Sequence, residues 1–403
     1  MKPRVSLPVW ILGIVAMLVT QAAFAAETGK LPSLKGVWEG EGTAPTSAQK
    51  IVTSLRLEVT RQEGPLLWAD DVWRVRDAAS DKFTAEWRHD PMLGSLDPAG
   101  TKAVLSKEGA RFTLRLLDAD HVEAGFASAR TDGGEDIAYW AVLTRQGAAP
   151  LPVAPQAPPV LTGAWRGQPQ AAQPAGPITA PLCLDVIRQD GALVWLDDIW
   201  VPVDPATGAP STKELRRDRM MGSFDSSGRK AVVVKANARY SLELLEPDRM
   251  LVEFVRIGGK EEAAMAFYAL LRRNGTEPEP AATAAPDMRG SWEGESRYAM
   301  PSGPVASRFR LEVKRQEGLV LWADDVYYPI DPATGQLQAE AKREPLLGGL
   351  RPDGTGGALS KTDARFVFTL LGPDRLLAEF VGMRGKEKVP PMCFYAILDR
   401  HRP

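Results

Sequence analysis

One stretch of this sequence occurs three times and dictates the architecture. Residues 56–72 read RLEVTRQEGPLLWADDV, and residues 310–326 read RLEVKRQEGLVLWADDV. A looser copy, CLDVIRQDGALVWLDDI, occupies residues 183–199. Each copy contains one tryptophan, and the three follow at intervals of 127 residues: Trp68, Trp195 and Trp322. Because self-similarity at a fixed period marks tandem repeats, the chain consists of three copies of one unit.

Each unit has a recognisable beginning and end. The openings read LKGVW at residues 34–38, LTGAW at 161–165 and MRGSW at 288–292. Each unit closes with an aromatic and aliphatic segment that finishes in arginine, at residues 139–145, 267–273 and 394–400. We therefore predict three domains of about 110 residues, which agrees with the chain length. Their predicted bounds are 33–146, 161–273 and 287–401.

Two segments between these domains are predicted to be linkers. Residues 147–160 and 274–286 are rich in Pro and Ala and poor in large apolar side chains. Segments of this composition form extended, semi-rigid spacers. We expect three domains arranged like beads on a string.

Within each unit the sequence pattern is that of β-strands. In Leu55–Val59 apolar and charged residues alternate with period two, as a half-buried strand requires. Turn signals recur every 8 to 12 residues, for example in the segment Asp97–Gly100. The fold class is therefore all-β, with eight or nine strands per unit in an up-and-down antiparallel meander. A meander of this size removes its edges by closing into a barrel, and an open sandwich is the alternative.

The N-terminus has the form of a cleaved export signal, residues 1–25. Met1–Arg4 is basic, Val9–Thr20 is apolar, and Ala23–Ala25 supplies small residues for cleavage after Ala25. A membrane anchor is the alternative, but the apolar run is shorter than the roughly 20 residues of a spanning helix. We expect a periplasmic or secreted protein, monomeric and without a membrane span after cleavage.

Charge and cysteine content limit the classes of partner. The net charge is −2 and basic residues do not form long runs, which argues against nucleic-acid binding. Only Cys183 and Cys393 are present, at non-equivalent places, so a disulfide framework shared by the units is excluded. A single bridge between two domains and two separate thiols both remain open.

The units resemble the lipocalin and calycin group of small β-barrels. The features in common are the Gly-x-Trp opening, the meander of about eight strands and the arginine at the end of the last strand. The resemblance implies that the opening tryptophan packs across the closed end of the barrel under the final arginine, in three pairs: Trp38 with Arg145, Trp165 with Arg273, and Trp292 with Arg400. It leaves open whether the barrels are hollow or filled by side chains.

The Trp-x-Asp-Asp motif is the candidate binding site. Because side chains alternate along a strand, the tryptophan and the first aspartate share one face, and the second aspartate takes the other. A charged set recurs further along each unit, at residues 88–90, 216–218 and 342–344, and could supply a partner for the carboxylate. The candidate ligand-binding residues are Trp68, Asp70 and Arg88; Trp195, Asp197 and Arg216; and Trp322, Asp324 and Lys342. The alternative is a structural cross-strand ion pair beside a core tryptophan, repeated by duplication.

These residues favour binding over catalysis. The three histidines, His89, His121 and His401, do not recur at equivalent places, so they supply neither a repeated triad nor a metal site. We expect a non-enzymatic protein without cofactor or metal that binds a small, partly apolar ligand in each barrel. One alternative is multivalent binding of an envelope glycan or protein, which requires exposed tryptophans. A carboxylate-based hydrolase is the other.

Overall fold

A computed structural model describes residues 31–401 except 48, 78–80, 129–135, 152–157, 203–208, 210–214, 236–237, 257–263, 275–284, 332–335 and 383–390. All regular secondary structure in the described ranges is β-strand. The predicted signal peptide and the middle of both linkers lie outside these ranges. The prediction of an all-β chain with three closed barrels is confirmed.

Barrel 1 is an antiparallel meander of eight strands closed by pairing between its first and last strands and between β2 and β3. Its strands are β1 (Gly36–Pro45), β2 (Lys50–Glu63), β3 (Leu66–Asp77), β5 (Arg88–Leu96), β6 (Lys102–Lys107), β7 (Ala110–Leu116), β8 (His121–Ser128) and β9 (Ile137–Arg145). A two-residue strand, β4 (Lys82–Phe83), pairs with the end of β3.

Barrel 2 repeats this order of pairing and adds a hairpin of two short strands between its first two barrel strands. The hairpin consists of β11 (Gln170–Gln173) and β12 (Gly176–Thr179). The barrel strands are β10 (Gly163–Gly167), β13 (Leu182–Asp190), β14 (Leu193–Trp200), β15 (Arg216–Phe224), β16 (Lys230–Lys235), β17 (Ala238–Glu246), β18 (Arg249–Arg256) and β19 (Met265–Arg273).

Barrel 3 is closed by pairing of its first strand with its last. Its strands are β20 (Gly290–Met300), β21 (Gly303–Glu317), β22 (Val320–Tyr327), β23 (Lys342–Leu350), β24 (Gly356–Ser360), β25 (Ala364–Gly372), β26 (Arg375–Gly382) and β27 (Cys393–His401). Each barrel encloses its own apolar core, in which inward aromatic rings contact one another, such as Phe112 with Phe126 and Phe366 with Phe380.

One end of each barrel is closed by the opening tryptophan. Trp38 is buried, its Nε1 donates to the Leu34 carbonyl, and the Arg145 guanidinium lies 4.2 Å from its ring centroid. The equivalent arginine-to-ring distances are 5.8 Å in barrel 2 and 5.3 Å in barrel 3. Gly36 has φ of +126°, in a region that favours glycine, which explains the Gly-x-Trp pattern. The opposite end of each barrel is called its mouth below.

The three barrels form a ring in which each contacts both others. The motif tryptophans make these contacts, because each donates its Nε1–H to a backbone carbonyl in a hairpin loop of a neighbouring barrel. The bonds run from barrel 1 to 3, from barrel 2 to 1 and from barrel 3 to 2: Trp68 to Met300 at 2.7 Å, Trp195 to Thr46 at 2.9 Å, and Trp322 to Gln173 at 2.7 Å. The expectation of separated beads on a string is therefore wrong.

Apolar side chains on the outer barrel surfaces fill the seams of this ring. Val104 of barrel 1 packs with Val381 and Cys393 of barrel 3. The Cys393 thiol donates to the Leu93 carbonyl across the same seam, at 3.1 Å. Cys183 is also a free thiol, so the two cysteines do not form a disulfide. The outer barrel faces are therefore partly buried, which decides where the motif side chains lie.

Candidate ligand-binding site

The Trp-x-Asp-Asp strand has two buried faces. On β3 the residues Leu67 and Ala69 belong to the barrel core, whereas Leu66 and Trp68 pack with Ala299 of barrel 3. By the alternation of a strand, the second aspartate of each motif faces the barrel interior and the first faces outward. The same alternation holds on β14 and β22.

The three predicted tryptophans are therefore interface residues. Trp68, Trp195 and Trp322 are 8%, 5% and 9% exposed, respectively. An arginine from the same hairpin lies over each ring at 4.3–4.4 Å from the centroid: Arg61, Arg188 and Arg315. These tryptophans stabilise the ring of barrels and do not offer an exposed aromatic floor.

The first aspartate of each motif lies on the outer face of its barrel. The basic residue predicted to join it lies on the inner face. Asp197 bonds Arg217 and Arg219, whereas Arg216 lies over Trp200 at the mouth. Within the predicted set, Asp197 therefore pairs with Arg217 and not with Arg216, because adjacent strand residues point to opposite faces.

The other two units show the same separation. Asp324 bonds Lys314 and Arg343, whereas Lys342 lines the mouth of barrel 3. In barrel 1, Arg88 lies over Trp73 on the inner side, opposite the outward face that carries Asp70.

The second aspartate of each motif is buried and belongs to a charge cluster at the mouth of its barrel. In each cluster a lysine bridges this aspartate and a second carboxylate, at Nζ–O distances of 2.5–2.7 Å. The three clusters are Asp71–Lys107–Asp90, Asp198–Lys235–Asp218 and Asp325–Lys361–Glu344. Each combines two carboxylates with one ammonium, and the motif aspartate is at most 2% exposed.

One oxygen of each cluster lacks a protein partner. The Oδ1 atoms of Asp71, Asp198 and Asp325 are buried and accept no hydrogen bond. Burial raises the pKa of Asp325 to about 6, although Lys361 acts in the opposite direction. Burial likewise raises the pKa of Asp71 and of Asp198. An unsatisfied buried carboxylate oxygen costs free energy that a hydrogen-bond donor from a ligand would recover.

Barrel 3 differs from the other two at its mouth. In barrels 1 and 2 an indole donates to the second carboxylate, from Trp73 to Asp90 and from Trp200 to Asp218, both at 2.9 Å. In barrel 3 the smaller Tyr327 takes the place of the indole and donates to Glu344 at 3.0 Å.

A cavity of about 340 Å³ lies at this mouth, large enough for a small organic molecule. Its walls combine aromatic and apolar side chains with the charge cluster. The apolar lining includes Tyr298, Phe309, Ile330, Phe380, Met392 and Phe394. Asp325, Glu344 and Lys361 supply the charged part of the wall, and Ser296 and Ser307 add hydroxyl groups. The arrangement suits a ligand with an apolar body and one hydrogen-bond donor.

The lysines of the three clusters were not among the residues predicted from the sequence. Lys107 and Lys235 each end a strand and Lys361 directly follows one, 36 or 37 residues after the motif aspartate. Their recurrence at an equivalent place in each repeat is the sequence signal that could have identified them. Within the described ranges, no group of three or more His, Cys, Asp or Glu side chains could hold a metal ion.

Comparison with known proteins finds only weak matches among solved structures. Neither a known protein family nor a curated protein matches the sequence. A DUF3598-family protein of unknown function from Nostoc punctiforme PCC 73102 is 12% identical with a TM-score of 0.26, covering 60% of this chain and 96% of that one. Kievitone hydratase from Nectria haematococca is 7% identical with a TM-score of 0.19, covering 62% and 92%.

Transferrin binding protein B from Neisseria meningitidis is 9% identical with a TM-score of 0.19, covering 92% of this chain and 78% of that one. Scores this low carry no information about activity. No helix among the described residues is long and apolar enough to span a membrane.

Proposed function

We propose that this chain is an exported, non-enzymatic binding protein of the calycin-like kind, and that barrel 3 holds its ligand. The ligand is small and largely apolar, and it carries a hydrogen-bond donor such as an amine or a hydroxyl group. The observation that carries the proposal is the cavity of about 340 Å³, whose lining includes Asp325, a buried carboxylate with an unpartnered Oδ1.

The charge of the cluster favours a donor over an acceptor. Two carboxylates and one ammonium leave one negative charge, and Lys361 is already engaged by both carboxylates. An incoming N–H or O–H group therefore finds a free acceptor in Asp325, whereas an anionic group would face net repulsion.

A binding role suits the chemistry of this site better than catalysis. Asp325 and Glu344 are joined through Lys361 and do not lie on two sides of a free space, as the carboxylates of a glycoside hydrolase do. The alternative of a glycan-binding surface depended on exposed motif tryptophans, and these are buried between barrels.

The proposal is tested with N-phenyl-1-naphthylamine, a fluorescent, neutral aromatic amine. Asp325→Asn replaces the charged acceptor with a neutral one of the same size. The dissociation constant of the probe should then rise about five-fold, since a bond to a charged acceptor is worth roughly 1 kcal/mol more than a bond to a neutral one. Fluorescence titration measures this constant, and circular dichroism verifies the fold.

Asp198→Asn in barrel 2 is the matched control. It removes the same charge from an equivalent cluster, in which Tyr240 also donates to Asp198, and it should leave probe affinity unchanged. The proposal is rejected if the wild-type chain does not bind the probe saturably, or if both variants weaken binding equally.

A further inference from the structure

A second cavity, of about 250 Å³, lies at the centre of the ring between the outer faces of the three barrels. Each barrel contributes an arginine from an equivalent place on one strand, the residue after the first alanine of β7, β17 or β25. These arginines are Arg111, Arg239 and Arg365, and all three line the cavity.

Two glutamates partner these three arginines. Arg365 donates to Glu379 of its own barrel at 2.8 Å and to Glu253 of barrel 2 at 3.3 Å. Arg239 donates to Glu253 at 2.9 Å. Arg365 thus lies between the glutamate of its own barrel and the glutamate of a neighbour, and the same arrangement repeated in all three barrels would form a closed wheel of three arginines and three glutamates.

The wheel lacks its third carboxylate. Glu253 pairs across strands with Tyr268, and Glu379 pairs with Tyr395. At the same register of barrel 1, Gly125 pairs with Trp140. A glycine therefore stands where the other barrels have glutamate.

Arg111 is the arginine that this loss affects most. It is 5% exposed, and its Nη1 lies 3.9 Å from the Glu379 carboxylate, beyond hydrogen-bond distance. Its Nη1 has no hydrogen-bond partner, and neither does the buried Nε of Arg239. Trp140, which also lines the cavity, has a buried Nε1 donor without a partner. Buried donors left unsatisfied in this way are costly, the more so when they are charged.

We propose that this central cavity binds a small organic monocarboxylate, which takes the place of the missing glutamate side chain between Arg111 and Arg239. Five basic and three acidic side chains line the cavity, so its charge suits an anion. A guanidinium pairs well with a carboxylate because its planar fork of donors matches the two oxygens. This site is separate from the mouth of barrel 3 and does not depend on the function proposed for it.

Propionate is the appropriate probe, because it has the carbon skeleton of a glutamate side chain from Cβ onward. Isothermal titration calorimetry on the full chain should show saturable binding of propionate. Thermal unfolding should move to higher temperature with propionate concentration, since a ligand that binds only the folded state stabilises it. Sodium chloride at the same ionic strength as the sodium propionate should have no such effect. The uncharged propionamide at the same concentration should have none either. If either stabilises the protein as much as propionate does, the proposal is overturned.

A double variant tests the location. Gly125→Glu together with Trp140→Tyr recreates the arrangement of barrel 2. The second change is needed because a Cβ at position 125 would lie 2.8 Å from the Trp140 ring. This variant should unfold at higher temperature than the wild type and should no longer respond to propionate, whereas Gly125→Gln with Trp140→Tyr should lack the added stability. Retention of the propionate response in the glutamate variant would overturn the proposal.

A single substitution covers the case in which the double variant does not fold. Arg111→Gln should abolish propionate binding, whereas Arg297→Gln, at an exposed residue of β20 outside the cavity lining, should preserve it. Equal binding by wild type and Arg111→Gln would contradict the assignment.

Discussion

Asp324 and Asp325 are adjacent carboxylates with opposite environments. Asp325 faces the interior of barrel 3, where burial raises its pKa to about 6 from an ordinary 3.8. Asp324 faces outward. Burial acts to raise its pKa too, but the bonds from Lys314 and Arg343 outweigh this effect and lower the pKa. The two residues should therefore influence stability in opposite directions as pH changes.

The wild type should lose stability to unfolding as pH rises from about 4 to 6, and Asp325→Asn should not show this loss. Because the pKa of Asp325 is higher in the folded protein, its protonated form favours folding, and this contribution is lost as pH rises through 6. The loss is on the order of 3 kcal/mol at 1.36 kcal/mol per pKa unit. Urea unfolding at pH 4 and pH 7 gives the free energy of unfolding of both proteins. The difference between variant and wild type should change by this amount between the two pH values. A difference in free energy of unfolding that does not vary with pH would contradict this prediction.

Asp324→Asn should show the reverse dependence. A carboxylate whose folded pKa is lowered contributes stability above its unfolded pKa, and this contribution disappears as pH falls through the folded value. The variant should therefore be less stable than wild type at pH 7, and the difference should shrink on acidification. The same urea series measures this difference. A variant as stable as the wild type at pH 7 would show that the bonds from Lys314 and Arg343 to Asp324 contribute nothing.

Period-two reasoning correctly separated Trp322 and Asp324 from Asp325. It could not tell which face was inside, because the neighbouring barrel buries the outer face of the strand as completely as the core buries the inner one. The run Leu66–Asp71 carries the relevant signal, since five of its six residues are buried and its apolar part does not alternate. Such a run is typical of a strand covered on both sides.

At the scale of single elements, the hairpin loops are the parts that join the barrels. The loop between β1 and β2, the β11–β12 hairpin and the loop between β20 and β21 each present a carbonyl to a motif tryptophan. In barrel 2 the hairpin strands pair only with each other, so they are not needed to close that barrel. Their contacts with barrel 3 give them a role in assembly.

Trp322→Ala should weaken the attachment of barrel 3 to barrel 2. Truncating a buried tryptophan costs about 3–5 kcal/mol. Differential scanning calorimetry should then show a lower unfolding temperature and a separate transition for the released barrel. Trp322→Phe is the control, because it keeps most of the buried ring and loses only the bond to Gln173, worth about 1 kcal/mol. An unchanged single transition in Trp322→Ala would show that the hairpin does not couple the barrels.

The sequence predicted the elements better than their assembly. The strand pattern, the barrel closure and the Trp38–Arg145 contact all follow from local signals within one repeat. The β11–β12 hairpin and the seams do not, because they depend on which outer surfaces meet. Outward apolar residues such as Val104 and Val381 look in sequence like ordinary members of a core.

At the scale of the whole molecule, the ring makes the chain compact. Small-angle X-ray scattering should give a radius of gyration close to the roughly 21 Å expected for about 370 residues folded into one compact body. Three barrels separated by extended linkers would give a clearly larger value and an elongated distance distribution. That result would contradict the contacts of Trp68, Trp195 and Trp322 between barrels.

The ring also places three related barrels in one molecule without making them equivalent. Trp73 and Trp200 occupy the mouths of barrels 1 and 2, where barrel 3 has Tyr327 beside its cavity. Only one of the three repeats should therefore bind the ligand proposed above, although the sequence motif suggested three similar sites.

The number of N-phenyl-1-naphthylamine molecules bound per chain tests this account most directly. Fluorescence titration at protein concentrations well above the dissociation constant should give one. Ser307→Phe, which places a ring in the cavity of barrel 3, should reduce the number to zero while the circular dichroism spectrum stays unchanged. Two or three equivalent sites, or one site that survives in Ser307→Phe, would contradict the assignment of binding to barrel 3.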